Sequence, residues 1–225
     1  MDGSGAMFAG FIAALGNGIA PLVLSYPTDQ ILSYQGLTDF ARTRLPLGRP
    51  WVLLGESFSG PVAIALAAER PAGLIGLILC CTFARNPVSL FQHCAGLIPF
   101  LPVSGRLSGL TVPFLLGRHA TPALRTTLRG ALDRLQSAVL RARMRAVLAV
   151  DYSARMRQVA VPVLYLQAAQ DRVVSGASLR HIAALQPALK VVALRGPHLL
   201  LQAVPDAAAM AVREFIATLS AAIPS

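Results

Sequence analysis

The sequence predicts an α/β fold in which a mostly parallel central sheet is covered by helices on both faces. Short, fully apolar runs alternate with helical segments along the chain. Hydrophobic residues make up 55% of the 225 residues, and only 13% are charged. Buried parallel strands read as continuous apolar runs, and each is followed by a covering helix. The mean hydropathy of +0.60 is therefore explained by a buried sheet.

The alternation of apolar runs and helical segments assigns the elements in chain order. Proline marks the ends of several predicted elements, because it interrupts both helices and the hydrogen-bond ladders of sheets. Strands are predicted at residues 20–25, 50–55, 74–81, 161–167 and 189–194. Helices are predicted at residues 8–15, 31–44, 61–69, 178–185 and 205–220.

The alternation of strands and helices stops after Thr82. Several proline and glycine residues follow, and then a long helical pattern at residues 122–150. We expect residues 84–158 to form a helical cap inserted into the core. The core then consists of residues 1–83 and 159–225. Apolar stretches of the cap, at residues 97–102 and 112–116, are expected to wall an acyl pocket.

A serine lies at a tight turn between an apolar strand and an alanine-rich helix. The turn is Gly55-Glu-Ser57-Phe58-Ser59-Gly60, called the elbow below. Such a turn strains the serine backbone and raises its hydroxyl above the sheet. Ser59 stands where a glycine is usual and is small enough to be tolerated. The Phe58 N–H, at a helix start, is the expected first oxyanion donor.

Two further polar side chains lie just beyond the ends of predicted strands: Asp171 and His198. Catalytic groups of open parallel sheets collect at the carboxyl ends of the strands. A serine hydroxyl needs a neighbouring base, and the base needs a carboxylate that fixes its tautomer. The sequence therefore predicts Ser57 as nucleophile, His198 as base and Asp171 as acid. Asp151 is the alternative acid.

These residues resemble the α/β-hydrolase superfamily, and the resemblance covers nearly the whole chain. The matching parts are the elbow, the loop of Asp171 and the Gly-Pro-His198 loop; residues 2–5 are similar to the family's oxyanion loop. The resemblance implies cleavage of carboxylic esters, less often thioesters or amides, without cofactor or metal. Small bacterial esterases are the most similar members, including some that act on acyl groups held by a carrier protein.

The resemblance also implies an amino-terminal truncation. In the family, a central strand precedes the oxyanion loop and would lie between the strands at residues 20–25 and 50–55. Its loss leaves backbone edges unpaired, which is costly. We therefore expect Met1 to be an internal start or the chain to be truncated. The second oxyanion donor is expected from Met1 or Asp2 and to be poorly held.

The net charge is +10, with 20 basic against 10 acidic side chains. Much of the excess lies between Arg118 and Arg157. A basic helical segment is either a solvated face or a surface for an acidic partner, such as an acyl-carrier protein. No nucleic-acid-binding motif accompanies the charge, and no apolar run reaches the length of a membrane span. We expect neither nucleic acid binding nor stable membrane insertion.

The three cysteines are expected to be free thiols, because Cys80 and Cys81 are neighbours on a strand and point to opposite faces. No Cys/His spacing resembles a zinc site. The amino terminus has no positive region typical of a secretory signal, so a cytoplasmic location is expected. His93, His119 and His181 do not follow strands and are expected to be structural.

Three functions remain open at this point. The first is a carboxylesterase for small-molecule esters. The second is an esterase or thioesterase for carrier-bound acyl groups, guided by the basic cap. The third is a catalytically impaired binding protein with a hydrolase fold.

Overall fold

The computed structural model describes residues 5–87 and 108–221, and a four-stranded parallel sheet forms its centre. Each strand pairs with the next strand in sequence, so the sheet order is β1-β2-β3-β4. The strands are β1 (Trp51–Glu56), β2 (Leu74–Cys80), β3 (Val163–Ala168) and β4 (Lys190–Leu194). The predicted parallel α/β architecture is confirmed.

Helices connect the strands and lie close to the predicted positions. Side-chain caps define two of the helix starts: the Ser33 hydroxyl accepts from the Gly36 N–H at 3.1 Å, and the Thr121 hydroxyl accepts from the Leu124 N–H at 3.2 Å. Among the described residues, the α-helices are α1 (Ala9–Leu15), α2 (Tyr34–Arg42), α3 (Gly60–Ala68), α4 (Ser108–Leu115), α5 (Pro122–Asp133), α6 (Ser137–Ala149), α7 (Ser153–Gln158), α8 (Gly176–Leu185), α9 (Leu200–Ala203) and α10 (Pro205–Ser220).

Both faces of β2 and β3 are buried under helices, whereas β4 is exposed or half-buried along its length. Ile78 and Leu164 pack in one apolar cluster with residues of α1, α9 and α10. Their strand neighbours Leu77 and Val163 pack in a second cluster with residues of α3, α7 and α8. Successive side chains of a strand point to opposite faces, so covering both faces requires every position to be apolar. This explains the uninterrupted apolar runs.

The prediction of a strand at residues 20–25 is wrong. This segment forms no β-ladder, and β1 is an edge strand in the part of the chain that the structure describes. A strand exists only where a neighbouring backbone supplies hydrogen bonds. No described segment pairs with residues 20–25, so these residues form no strand although their side chains favour one.

The long helical pattern predicted in the cap forms two helices in the structure. α5 and α6 are separated at Gln136, whose N–H donates to the carbonyl of Thr28 at 3.1 Å. The adjacent Leu135 is buried. Tertiary contacts therefore break a pattern that propensity alone would continue. An isolated bridge joins Arg85 to Asp151, where the chain enters and leaves the predicted cap.

Part of the predicted cap, residues 88–107, lies outside the described residues, and it includes His93, Cys94 and the apolar stretch 97–102. The division into core and cap therefore stays a prediction. Across the two described ranges, the helices are all too short or too polar to traverse a bilayer.

Candidate active site

Ser57 occupies the apex of the elbow in a strained conformation. Strand β1 ends at Glu56, and a single 3₁₀ turn, Ser57–Ser59, leads into α3. The φ angle of Ser57 is +51°, in the left-handed region that non-glycine residues rarely adopt. Such strain persists only where the surroundings impose it, and it clusters at functional sites.

Two glycines allow β1 and α3 to approach each other at the elbow. A methyl group on Gly55 would lie 2.7 Å from the Cβ of Ala63, and one on Gly60 would overlap the side chain of Thr82. The close approach is therefore demanded at positions 55 and 60. Ser59, which stands where a glycine is usual, is half-buried.

Thr82 fastens the elbow to the sheet. Its hydroxyl donates to the carbonyl oxygen of Ser57 at 2.5 Å. Tyr165 on β3 holds Thr82 in turn, since its hydroxyl donates to the Thr82 carbonyl at 2.8 Å and accepts from the Thr82 N–H at 3.1 Å. Burial raises the pKa of Tyr165 far above its ordinary value, so the hydroxyl stays protonated as a donor.

The loops after β3 and β4 are joined by main-chain hydrogen bonds. The Ala169 N–H donates to the Leu194 carbonyl at 2.9 Å, and the Gln170 N–H donates to the Gly196 carbonyl at 3.0 Å. Asp171 follows the first loop directly, and its Oδ1 accepts from the N–H groups of Val173 and Val174. The parallel register thus brings the two polar residues to the same edge of the sheet.

Asp171, His198 and Ser57 form a continuous hydrogen-bonded chain. The Nδ1 of His198 lies 2.9 Å from Oδ2 and 3.0 Å from Oδ1 of Asp171. Its Nε2 lies 2.7 Å from the Oγ of Ser57. An ionised carboxylate only accepts hydrogen bonds, so Nδ1 carries the proton and Nε2 is free to accept from the serine hydroxyl. The three predicted residues are therefore brought together in the order that general-base activation requires.

The environment of this chain is largely dry. The side chains of His198 and Asp171 are only 2% and 8% exposed. Electrostatic interactions and hydrogen bonds are stronger in such surroundings than in water. A developing imidazolium would therefore be stabilised effectively by the adjacent carboxylate.

Of the predicted oxyanion donors, only Phe58 is described. Its N–H belongs to the first turn of the 3₁₀–α3 segment and so has no partner within its own helix. The Phe58 ring is buried and stacks on Tyr34 at a centroid distance of 4.9 Å. Met1 and Asp2, the predicted sources of a second donor, lie outside the described residues.

Asp151, the alternative acid, belongs to a different cluster. Its Oδ1 accepts from the hydroxyl of Ser153 at 2.5 Å and from the Ser153 N–H at 2.9 Å, and these bonds lower the pKa of Asp151. The Nε2 of His181 lies 2.8 Å from the same hydroxyl. Since the carboxylate contacts the serine and not the imidazole, this cluster lacks the order needed to activate a nucleophile.

Sequence reasoning missed two side chains around the elbow. Thr82 lies just beyond the carboxyl end of β2, so the same placement that identified Asp171 and His198 could have identified it. Gln202 is buried and donates to Oε2 of Glu56 at 2.8 Å. Its only signal in the sequence is one polar residue inside an apolar run, four positions after His198.

Both described cysteines are free and buried, as predicted. Their sulfur atoms are 3.9 Å apart, too far for a disulfide. Burial raises the pKa of Cys80 well above its ordinary value, so the thiol stays neutral.

An apolar cavity of about 620 Å³ lies beside β1, and its lining also includes residues 18–24 and side chains of α1, α3 and α10. Glu56 and Ser59 line its end nearest the elbow, but Ser57, Asp171 and His198 are not among its lining residues. The hydrogen-bonded chain therefore lies outside this cavity.

No protein-family model matches the sequence, and no curated protein matches it. Solved structures are similar in fold. A hydrolase from Oleispira antarctica superposes with a TM-score of 0.79 at 14% identity, covering 96% of this chain and 88% of that chain. An esterase from Thermogutta terrifontis superposes with a TM-score of 0.77 at 19% identity, covering 95% and 85%.

An enol-lactonase from Burkholderia xenovorans LB400 superposes with a TM-score of 0.72 at 19% identity, covering 96% of this chain and 88% of that chain. At such identities the likeness concerns the fold. The chain therefore has the α/β-hydrolase fold.

Proposed function

We propose that this chain is a serine hydrolase that cleaves carboxylic esters through an acyl-enzyme on Ser57. The observation that carries the proposal is the chain of contacts from Asp171 through His198 to the Ser57 hydroxyl, at 2.9 Å and 2.7 Å. A serine hydroxyl is a weak nucleophile until a base at this distance accepts its proton. The strained φ of Ser57 and the solved hydrolases of the same fold agree with this assignment.

The reaction has two acyl-transfer steps. The Nε2 of His198 takes the Ser57 proton while Oγ attacks the ester carbonyl, and the bond to the alkoxide breaks as the imidazolium returns the proton to the leaving alcohol. Water then attacks the acyl-enzyme with the same histidine as base, releasing the acid and restoring the serine. Asp171 stabilises the imidazolium in both steps. Each step uses only residues of the chain and water.

The negative charge of the tetrahedral intermediate requires hydrogen-bond donors. The Phe58 N–H, directly after the nucleophile, is proposed as one donor, with Met1 or Asp2 as the second. The loss of one such donor costs on the order of 10²–10³ in rate. The rate of this chain therefore depends on how well the second donor is held.

The cap is proposed to bind the acyl group. Its helix α4 touches the site, because the Leu199 N–H, next to His198, donates to the Leu115 carbonyl at 2.9 Å. Val112 and Leu116 of the same region are buried in an apolar cluster. Apolar walls beside a polar reacting centre favour esters of hydrocarbon acids over charged ones.

The test is covalent labelling with a fluorophosphonate probe, followed by peptide mass spectrometry. We expect one adduct on Ser57 and hydrolysis of p-nitrophenyl esters, measured over a series of acyl-chain lengths. A folded protein that forms no adduct on Ser57 contradicts the proposal. That outcome would instead favour the impaired binding protein.

A second candidate substrate is an acyl group held by an acidic carrier protein. The observation in its favour is a basic surface on the cap: Arg125 and Arg129 are exposed one turn apart on α5, and Arg145 is exposed on α6. We expect added salt to lower kcat/KM for a carrier-bound substrate much more than for a p-nitrophenyl ester. Equal salt dependence for the two substrates contradicts a carrier.

A further inference from the structure

Glu56 is a buried carboxyl group directly before the nucleophile, and the reaction proposed above does not use it. It is the last residue of β1, and its side chain is 9% exposed. A carboxyl group loses solvation when buried and is retained only where it makes specific contacts. Its partners therefore indicate its role.

The carboxyl group of Glu56 contacts the segment that follows His198. Its Oε2 accepts from the side-chain amide of Gln202 at 2.8 Å. Its Oε1 accepts a longer bond, 3.4 Å, from the N–H of Leu201. This N–H is in the first turn of α9 and so has no partner within that helix. Glu56 supplies the missing acceptor.

These two contacts connect the residue before Ser57 with the segment that follows His198. Ser57 follows Glu56 by one residue, and His198 precedes Leu201 by three. The Asp171 carboxylate orients the imidazole ring. The Glu56 contacts instead hold the main chain that carries the ring, and the Ser57–His198 distance of 2.7 Å depends on both.

The groups that face Glu56 explain its electrostatics. Burial raises the pKa of Glu56, whereas the Gln202 amide and then the charge of His198 lower it. The thiol of Cys80 on β2 lies 4.0 Å from Oε1 and stays neutral.

We infer that Glu56 is a positioning residue, whose buried carboxylate holds the segment His198–Gln202 against the end of β1 and thereby sets the distance between base and nucleophile. The inference rests on the proposed function. A misplacement of about 1 Å at a reacting centre lowers the rate by on the order of 10²-fold. The contribution of Glu56 is expected in kcat and not in KM, because its carboxyl group bonds to Leu201 and Gln202 and acts through the position of His198.

The test compares Glu56→Gln with Glu56→Leu. Glutamine keeps an acceptor for the Leu201 N–H, and rotation of the Gln202 amide by 180° restores the side-chain pair. We expect Glu56→Gln to keep kcat within about threefold at its pH plateau, and Glu56→Leu to lose about 10- to 100-fold with KM little changed.

Glu69→Leu is the matched control, since Glu69 is a partly exposed carboxylate paired with Arg42 on the far end of α3. It should change neither kcat nor KM. A folded Glu56→Leu protein with the wild-type kcat, or a Glu56→Gln protein as impaired as Glu56→Leu, overturns the inference. Failure of the proposed function is a separate result, because the wild-type protein would then show no Ser57 adduct and no ester hydrolysis.

Discussion

The hydroxyl of Thr82 donates a hydrogen bond to the carbonyl oxygen of Ser57 at 2.5 Å, and Thr82 is itself buried at the end of β2. The nucleophile is thus held through its main chain by the neighbouring strand. Its left-handed φ of +51° costs free energy that the elbow alone cannot offset. The strain is maintained by a contact between residues 25 positions apart.

Replacing Thr82 with valine removes this donor and keeps the shape of the side chain. We expect the free energy of unfolding to fall by about 1–2 kcal/mol and kcat to fall by roughly tenfold, because the Ser57 carbonyl loses a partner and the turn relaxes. Thr38→Val is the control: Thr38 is also buried and donates to a main-chain carbonyl, that of Tyr34, at 2.8 Å. Its loss of stability should leave kcat unchanged. Equal effects of both variants on kcat would contradict a special role for Thr82.

Replacing Ser57 with alanine should abolish fluorophosphonate labelling and lower ester hydrolysis by roughly 10³-fold or more, since no other described hydroxyl contacts His198. Ser153→Ala tests the specificity of this effect, because Ser153 also lies 2.8 Å from a histidine nitrogen. Its hydroxyl is bonded to Asp151, so the variant should keep labelling and hydrolysis. Loss of labelling in Ser153→Ala and not in Ser57→Ala would show that the wrong serine has been assigned.

Replacing Asp171 with asparagine should lower kcat by about 10³–10⁴-fold at unchanged stability of the fold, because an amide nitrogen beside Nδ1 favours the wrong tautomer of the imidazole. The same substitution at Asp151 removes only a bond to Ser153 and should leave kcat as it is. Stopped assays with a p-nitrophenyl ester measure both. An intact rate in Asp171→Asn would exclude Asp171 as the acid.

Replacing Gly60 with alanine should lower the free energy of unfolding by about 1–3 kcal/mol or prevent folding, because the new methyl group overlaps the side chain of Thr82. Gly130→Ala is the matched case within α5. A methyl group there meets nothing within 4 Å, so the variant should gain about 0.5–1 kcal/mol. Urea denaturation of the three proteins gives the comparison. Equal stability of Gly60→Ala and the wild type would show that the start of α3 and Thr82 are not in close contact.

The burial of Glu56 predicts a specific dependence of stability on pH. Its pKa is raised above the ordinary value of 4.5, so the folded state binds the proton more tightly than the unfolded state. The stabilisation is complete below pH 4.5 and is lost as the pH rises through the higher folded pKa. Unfolding free energies of Glu56→Gln and the wild type, measured from about pH 4 to 8, should therefore diverge in favour of glutamine as the pH rises. A constant difference contradicts a raised pKa.

Much of the candidate site was predictable from the sequence because its parts are local. A serine between a strand and a helix, with glycine at positions 55 and 60, has few conformations, and short connections fix where it lies. Asp171 and His198 each lie four positions beyond the end of a predicted strand. Parallel strands bring their carboxyl ends to one edge, so chain order alone places these residues together.

The strand expected at residues 20–25 shows where such reasoning stops. The amino-acid composition of a segment indicates that it is able to form a strand, but hydrogen bonds to a neighbouring backbone decide whether it does. The break between α5 and α6 has the same origin, since a tertiary contact from Gln136 to Thr28 ends one helix and starts another. Neither outcome depends on residues near it in the chain.

By itself, the sequence determined the parallel α/β architecture and the identity of the three triad candidates, because apolar periodicity and strand-end placement are properties of short segments. Only the tertiary structure decided how the elbow is held, through Thr82, Tyr165 and the contact of Glu56 with Gln202. The partners in these contacts are 25, 83 and 146 positions apart. Their pairing depends on strand register and helix packing, which no local pattern encodes.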